Sequence, residues 1–332
     1  MQRKIVYIVG LVILIVSACR DNDQDFKVQI PDFNFSQTVT FETSLLAYDI
    51  FEGTISDLKP IDSFEILKLS SSLFTDYAHK QRLVKVPAGK KLKRLNDGSI
   101  DFPNGTILTK TFFYYFDDRD TSLGKRIIET RLLIKEKETW NVATYLWNES
   151  QTDATLELNG FDTEVSWINP NGENQSTVYH VPTKNECMTC HQSNSSMTPL
   201  GPTLLNLNRD VSRNGIDVNQ IGHLQSSGIL TEFSIDLVAQ MVDYNDVNAS
   251  LEERGRAYLA MNCAHCHNPN AWDIPAGRDF DFRHQTAFEN TGISDGKDKI
   301  LRNVINQEMP FIGTTILDKE GVDLLTKYIE SL

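Results

Sequence analysis

The chain has 332 residues and carries 45 acidic against 32 basic side chains, for a formal net charge of −13 at pH 7. This excess of negative charge repels phosphate backbones and anionic membrane faces, so it excludes nucleic acid as a partner and favours basic ones. The length and a hydrophobic content of 40% are enough for two domains, each with a core of its own.

The start of the chain has the pattern of a secretory signal, predicted over residues 1–18. A basic start, Gln2-Arg3-Lys4, precedes an apolar stretch over 5–16 that is too short to span a bilayer comfortably. Val16-Ser17-Ala18-Cys19 then resembles a lipobox, in which cleavage precedes a cysteine that becomes acylated. The alternatives are an ordinary signal peptide with an incidental cysteine and an uncleaved anchor helix. We predict a lipoprotein held to the membrane through Cys19.

The residues after Cys19 predict a solvated tether over 19–37. By resemblance to lipoprotein sorting rules, Arg20 directly after the cysteine favours the outer membrane. The acidic stretch over 21–25 resembles signals that bring some lipoproteins to the cell surface. The expected location is therefore the cell envelope, as an outer-membrane lipoprotein that faces either the periplasm or the exterior.

Residues 38–182 predict a mainly antiparallel β domain of the sandwich kind. The stretch over 106–116 is rich in β-branched and aromatic residues. One hairpin is expected between 130–134 and 140–147, and a second between 165–168 and 177–179, around an Asn-Gly turn. The aromatic side chains are expected in the core, and this region contains no recognisable catalytic constellation.

Two copies of Cys-x-x-Cys-His, the attachment pattern of c-type haem, are the most specific feature of the chain. They are Cys187-Met188-Thr189-Cys190-His191 and Cys263-Ala264-His265-Cys266-His267. In this pattern the two thiols bind the haem vinyl groups as thioethers and the histidine ligates the iron. We therefore predict two covalently attached haem c groups, with His191 and His267 as iron ligands.

Two other readings of these cysteines are disfavoured. A zinc ribbon separates its cysteine pairs by about 15–20 residues, whereas 72 residues lie between Cys190 and Cys263. A thioredoxin-like dithiol belongs to a βαβ unit, and neither motif lies in one.

The second motif lies in a stretch, 250–332, with strong helix signals. Ser250-x-x-Glu253 is a capping box at the start of a helix that runs into the motif. Asp318 is placed to cap a last helix. Gly255 resembles the glycine that, in class I cytochromes c, lets the first helix cross the last one closely.

Met309 is the expected distal ligand of the second iron. It lies 42 residues after His267, a usual separation for His/Met ligation, and Pro310 prevents a helix from continuing there.

The sequence does not decide which residue is the distal ligand of the first iron. Met241 lies 50 residues after His191, but on an apolar pattern that also suits a core helix. His223 would give bis-histidine ligation, Met197 follows His191 by only six residues, and an open site is the remaining alternative.

On these residues, 250–332 resembles a class I cytochrome c domain. The whole arrangement resembles an uncharacterised family of exported dihaem c-type cytochromes with a β-rich N-terminal region. The stretches that carry this resemblance are 73–80, 102–113, 129–133, 145–156, 181–191, 200–208, 219–230 and 250–268.

The resemblance implies a sandwich-like antiparallel β domain followed by an all-α, cytochrome c-like dihaem region. The implied segments are a signal peptide (1–18), a tether (19–37), the β-rich domain (38–182), a first haem-binding segment (183–249) and the class I cytochrome c-like domain (250–332).

The function that this organisation implies is single-electron transfer between exported redox partners, such as a dehydrogenase or a small cytochrome. Two alternatives stay open. One is a dihaem peroxidase-like enzyme, although such enzymes place their motifs in two full cytochrome domains, farther apart than the 76 residues between Cys187 and Cys263. The other is a β domain that binds a substrate or partner while the haems carry its electrons.

Overall fold

The structure is a computed structural model and describes residues 30, 32–33, 37–271 and 279–332. The predicted signal peptide, Cys19 and nearly all of the predicted tether lie outside the described residues. All the elements named below belong to one compact unit, Asp32–Leu332. In the described part of the chain, no helix combines the length and the apolar character needed to cross a membrane.

The described part of the chain is mainly β. Its strands are β1 (Glu65–Ile66), β2 (His79–Lys85), β3 (Lys93–Arg94), β4 (Ile100–Asp101), β5 (Ile107–Tyr115), β6 (Lys125–Glu136), β7 (Thr139–Trp147), β8 (Ala154–Glu157), β9 (Phe161–Ile168), β10 (Asn174–Val181), β11 (Gln192–Ser193), β12 (Ser196–Met197), β13 (Asp210–Arg213) and β14 (Ile216–Asn219). Six of them form one antiparallel sheet in the order β1-β2-β5-β6-β7-β8. The others pair as two-stranded hairpins: β3 with β4, β9 with β10, β11 with β12 and β13 with β14.

Both predicted hairpins are confirmed, since β6 pairs with β7 and β9 pairs with β10. The expected sandwich of two sheets is wrong, because the described residues contain one large sheet with the β9–β10 hairpin packed on it. Val165, Trp167 and Tyr179 of that hairpin share a core with Phe112 and Tyr114 of β5.

The large sheet is covered on both faces. One face packs against the first Cys-x-x-Cys-His motif, since Leu108, Leu133 and Val142 share a core with Met188; we call it the motif face. The opposite face carries Phe113, Tyr145 and Trp147 and packs against the chain around Phe41 and Leu45. Side chains alternate between the faces of a strand, so every second residue of β2, β5 and β6 points towards the motif.

The helices of the described residues are few and short. They are α1 (Lys184–His191), α2 (Leu204–Leu207), α3 (Gln220–Ser226), α4 (Leu251–Asn262), α5 (Lys297–Ile305) and α6 (Lys319–Glu330). Single 3₁₀ turns lie at Leu45–Tyr48, Ile55–Asp57, Thr121–Leu123, Ile235–Leu237 and Phe288–Asn290.

The prediction of an all-α, cytochrome c-like dihaem region is therefore wrong. Residues 183–249 contain the hairpins β11–β12 and β13–β14, three helices of at most eight residues, and irregular chain. Leu204 of α2 and Ile221 and Leu224 of α3 pack into the same core as the motif face, so the short helices of this segment are buried together against the sheet. The apolar pattern around Met241 is one 3₁₀ turn followed by irregular chain, not the core helix that its spacing suggests.

Helices α4 and α6 cross at two glycines. A Cβ on Gly255 of α4 would overlap the ring of Tyr328, and one on Gly321 of α6 would overlap the ring of Tyr258. Each helix thus supplies one glycine and one tyrosine to the contact. The predicted caps are confirmed, because Ser250 accepts from the Glu253 N–H and Asp318 accepts from the Gly321 N–H.

Candidate functional site

The first motif forms the end of helix α1, directly after strand β10. Thr183 caps this helix, and Glu186 completes a capping box by accepting from the Thr183 N–H at 2.7 Å. Glu186 also lies 3.2 Å from Nε2 of His180, whose Nδ1 is 2.6 Å from the Asp162 carboxylate. These contacts hold the helix at the end of the β9–β10 hairpin.

His191 is oriented by a main-chain hydrogen bond. Its Nδ1 lies 2.8 Å from the carbonyl oxygen of Thr198. A carbonyl only accepts, so Nδ1 carries the proton and Nε2 keeps its lone pair, the arrangement found in metal-ligating histidines. Burial lowers the pKa of His191 to about 4, which keeps the imidazole neutral near pH 7.

The second motif follows helix α4 in a tight turn. Cys263 is the C-cap of α4, and the His267 N–H donates to its carbonyl at 2.9 Å. The His267 ring packs against Phe280 and Phe282, with centroid distances of 5.8 and 5.2 Å.

One pocket joins the second motif to Met309. Cys263, Cys266, His267 and Met309 all line one open pocket, which Tyr258 also borders. The loop that carries Met309 lies between α5 and α6. The structure thus brings together the four residues that the sequence assigns to the second haem.

The residues of the first motif line different pockets. His191 borders a small pocket against the motif face of the sheet, whereas Cys190 borders a pocket that it shares with His265 and Met309. Cys187 is buried on the side of β7, where burial raises its pKa to about 11. The structure therefore gathers the first motif less tightly than the second.

The three candidate distal ligands of the first site differ in position. Met241 lines a pocket of about 260 Å³ that adjoins the His191 pocket, because both are bordered by Pro199 and Leu200. His223 lines neither pocket and lies 3.3 Å from the Glu65 carboxylate. Met197 lines neither pocket and is buried in the core beside Met188. Of the three candidates, Met241 therefore has the position that best suits a distal ligand of the first iron.

The two motifs touch each other. The ligand atoms of Cys190, His265 and Cys266 all lie within 4.8 Å of one another. A hydrogen bond from the Cys266 thiol lowers the pKa of Cys190. The four motif cysteines form no disulfide bonds with one another. The sequence did not indicate this contact, because the motifs are 76 residues apart and His265 occupies a variable position of the pattern.

Sequence analysis also missed a row of cations on the motif face. Arg82, Lys110 and Arg131 lie directly opposite one another on β2, β5 and β6. Arg131 is paired with the buried Glu129, whose Oε2 accepts from its Nε at 2.8 Å. Both Lys110 and Arg131 lie over the ring of Phe112, at 4.8 and 4.6 Å from its centroid.

Comparison with protein-family models, curated proteins and solved structures found no match to this chain.

Proposed function

We propose that this protein is a dihaem c-type cytochrome that passes single electrons between exported redox partners. The observation that carries the proposal is the pocket shared by Cys263, Cys266, His267 and Met309. Two thiols for covalent attachment, an imidazole and a thioether are the groups that a His/Met haem c site requires. When bound, haem supplies a reversible one-electron couple to such a site.

The contact between the two motifs supports electron transfer within one chain. Cys190 and Cys266 are the second cysteines of their motifs, and they lie against each other. Groups attached to these two thiols would therefore share one buried region. This favours a relay of two neighbouring sites over two independent ones.

The same contact favours one other candidate. Two thiols and an imidazole within 4.8 Å are a ligand set suited to a soft or borderline metal ion such as zinc or copper. Binding there would use Cys190, His265 and Cys266 and leave Cys187, Cys263 and Met309 without a role. We therefore rank this metal site second.

The decisive experiment is cofactor analysis of protein matured with the cytochrome c assembly system. Pyridine haemochrome spectra should show two c-type haems per chain, and Cys263→Ser should leave one. Cys19→Ser is the matched control, because it removes a cysteine outside both motifs and should leave both haems. Zinc or copper at one equivalent per chain, with no haem, would overturn the proposal and favour the metal site.

We also propose that the mature protein is anchored in the cell envelope through an acylated Cys19, and the support for this is the lipobox-like sequence around it. An anchored protein restricted to one membrane face meets partners by diffusion along that surface. The acidic chain would attract basic partners, and small cytochromes are one such class.

A further inference from the structure

The row of cations on the motif face, Arg82, Lys110 and Arg131, brings like charges together, and the described residues neutralise only part of them. Lys110 lies directly between Arg82 and Arg131 in the register of the sheet. Like charges directly opposite each other on neighbouring strands are destabilising, and burial increases the cost. Burial lowers the pKa of Arg82 to about 10 and that of Lys110 well below 10.5.

Only part of this charge is neutralised. Glu129 pairs with Arg131 and also accepts from the Tyr179 hydroxyl at 2.7 Å. Arg82 donates to the neutral Ser72 hydroxyl at 2.7 Å. Within residues 37–271 and 279–332, neither Arg82 nor Lys110 forms an ion pair with a carboxylate. Arg82 and Lys110 are therefore two buried basic groups without an anionic partner in this part of the chain.

Both of these cations border the space beside the first motif. Arg82 and Lys110 line the pocket that contains His191, and they also line the adjoining pocket that contains Met241. The rest of the His191 pocket is largely apolar, with Leu67, Leu108, Leu133 and prolines in its wall. An apolar pocket with two cations at one side suits a flat hydrophobic ligand that carries two negative groups.

We propose that Arg82 and Lys110 bind the two propionate groups of the haem attached to the first motif. This inference rests on the proposed function. Two carboxylates would match the two unpaired cations, and charge-assisted hydrogen bonds would offset the cost of burying them. Lys80, farther along β2, lines neither pocket and feels the opposing charges of Asp76 and Asp318, so it has no part in this pairing.

The test compares Lys110→Met with a matched lysine on the opposite face. Lys125 also lies over a phenylalanine, 5.7 Å from the centroid of Phe113, and burial also lowers its pKa. The measurements on the dihaem protein are resonance Raman spectra of the propionate bending modes and a potentiometric titration of each haem. Lys110→Met should shift the propionate mode of one haem and lower its reduction potential, because a neighbouring positive charge is lost. Lys125→Met should change neither quantity.

Lys110→Arg keeps the charge and should restore the wild-type propionate mode. If Lys110→Met does not mature, Arg82→Gln provides the same comparison from the other side of the pocket. Two haems per chain with unchanged propionate modes in Lys110→Met and Arg82→Gln would overturn this inference and leave the proposed function intact. A wild-type mode that shifts on addition of inorganic phosphate would also overturn it, because the cations would then be open to an external anion. Wild-type protein without haem would instead refute the proposed function.

Discussion

Asp76, in the β-rich part of the chain, binds the loop that follows Met309 through hydrogen bonds to Thr315 and Ile316. Its side chain is 2% exposed and accepts hydrogen bonds from three donors in the loop. These are the Thr315 N–H at 2.9 Å, the Thr315 hydroxyl at 2.9 Å and the Ile316 N–H at 3.2 Å. Asp76 has a φ of 51°, in the left-handed region that aspartate tolerates better than most residues.

We predict that Asp76→Ala destabilises the protein strongly. Hydrogen bonds to a charged acceptor contribute about 1.5–3 kcal/mol each, and a buried N–H left without a partner costs about 1–3 kcal/mol. The substitution removes the acceptor of all three donors and leaves two main-chain N–H groups unpaired. Contributions that share one carboxylate are not additive, so we expect a loss of about 3–5 kcal/mol in the free energy of unfolding.

Asp76→Asn should cost less than Asp76→Ala. Burial raises the pKa of the Asp76 carboxyl, so the native charge is itself held at a cost. An amide keeps one oxygen as acceptor and carries no charge. The expected order of stability is therefore wild type, then Asn, then Ala.

The assay is equilibrium unfolding in urea, with Asp97→Ala as the matched control. Asp97 accepts from the N–H and hydroxyl of Ser99 in an exposed turn, so its loss should change stability by less than about 0.5 kcal/mol. In the haem-containing protein, Asp76→Ala should also weaken the long-wavelength charge-transfer band that iron–methionine ligation produces. A stability within about 1 kcal/mol of wild type would show that the loop is held by other contacts and refute the reasoning.

Four further predictions follow from the described geometry and from the chain's N-terminal sequence. Gly255→Ala should cost at least about 1–3 kcal/mol because its Cβ overlaps a tyrosine ring, whereas Gly222→Ala in α3, with ordinary contacts only, should be neutral or stabilising in thermal unfolding. Although burial opposes it, two carboxylates raise the pKa of His180 above 6.5, so its stabilisation is present below that pH and is lost as pH rises through the folded-state value. Melting curves of His180→Gln and wild type should therefore converge towards alkaline pH. Met309→His should abolish the iron–methionine band and lower the potential of one haem only; a band that survives would mean that another methionine ligates. Cys19→Ser should remove the acyl mass from the N-terminal peptide in mass spectrometry, and a wild-type peptide without that mass would refute the anchor.

Local signals in the sequence predicted the elements that depend on neighbours along the chain. The β9–β10 hairpin follows from its Asn-Gly turn, and the starts of α4 and α6 follow from Ser250 and Asp318, because turns and caps are decided within a few residues. Met309 and His267 line one pocket, which is compatible with the 42-residue separation that suggested His/Met ligation, but the ligation itself stays a prediction.

The elements that sequence analysis missed depend on contacts between distant parts of the chain. Arg82 and Lys110 look like solvent-facing residues of alternating strands, and only the packing of the first motif on the sheet turns them inwards. The contact between Cys190 and Cys266 has no local signal at all. The all-α prediction failed because good helix caps, such as Thr183 and Asn219, begin helices of only one or two turns here, which pack on the sheet.

The reciprocal glycine–tyrosine crossing of α4 and α6 has a mechanical consequence for the Met309 loop. Tyr258 and Tyr328 each occupy a notch in the facing helix, so α6 can neither slide nor rotate without moving a ring out of its place. Asp76 holds the same loop at Thr315 and Ile316, a few residues before α6 begins. Both restraints act on the chain between Met309 and α6, so they limit how far this side of the loop can move away from the pocket that Met309 lines.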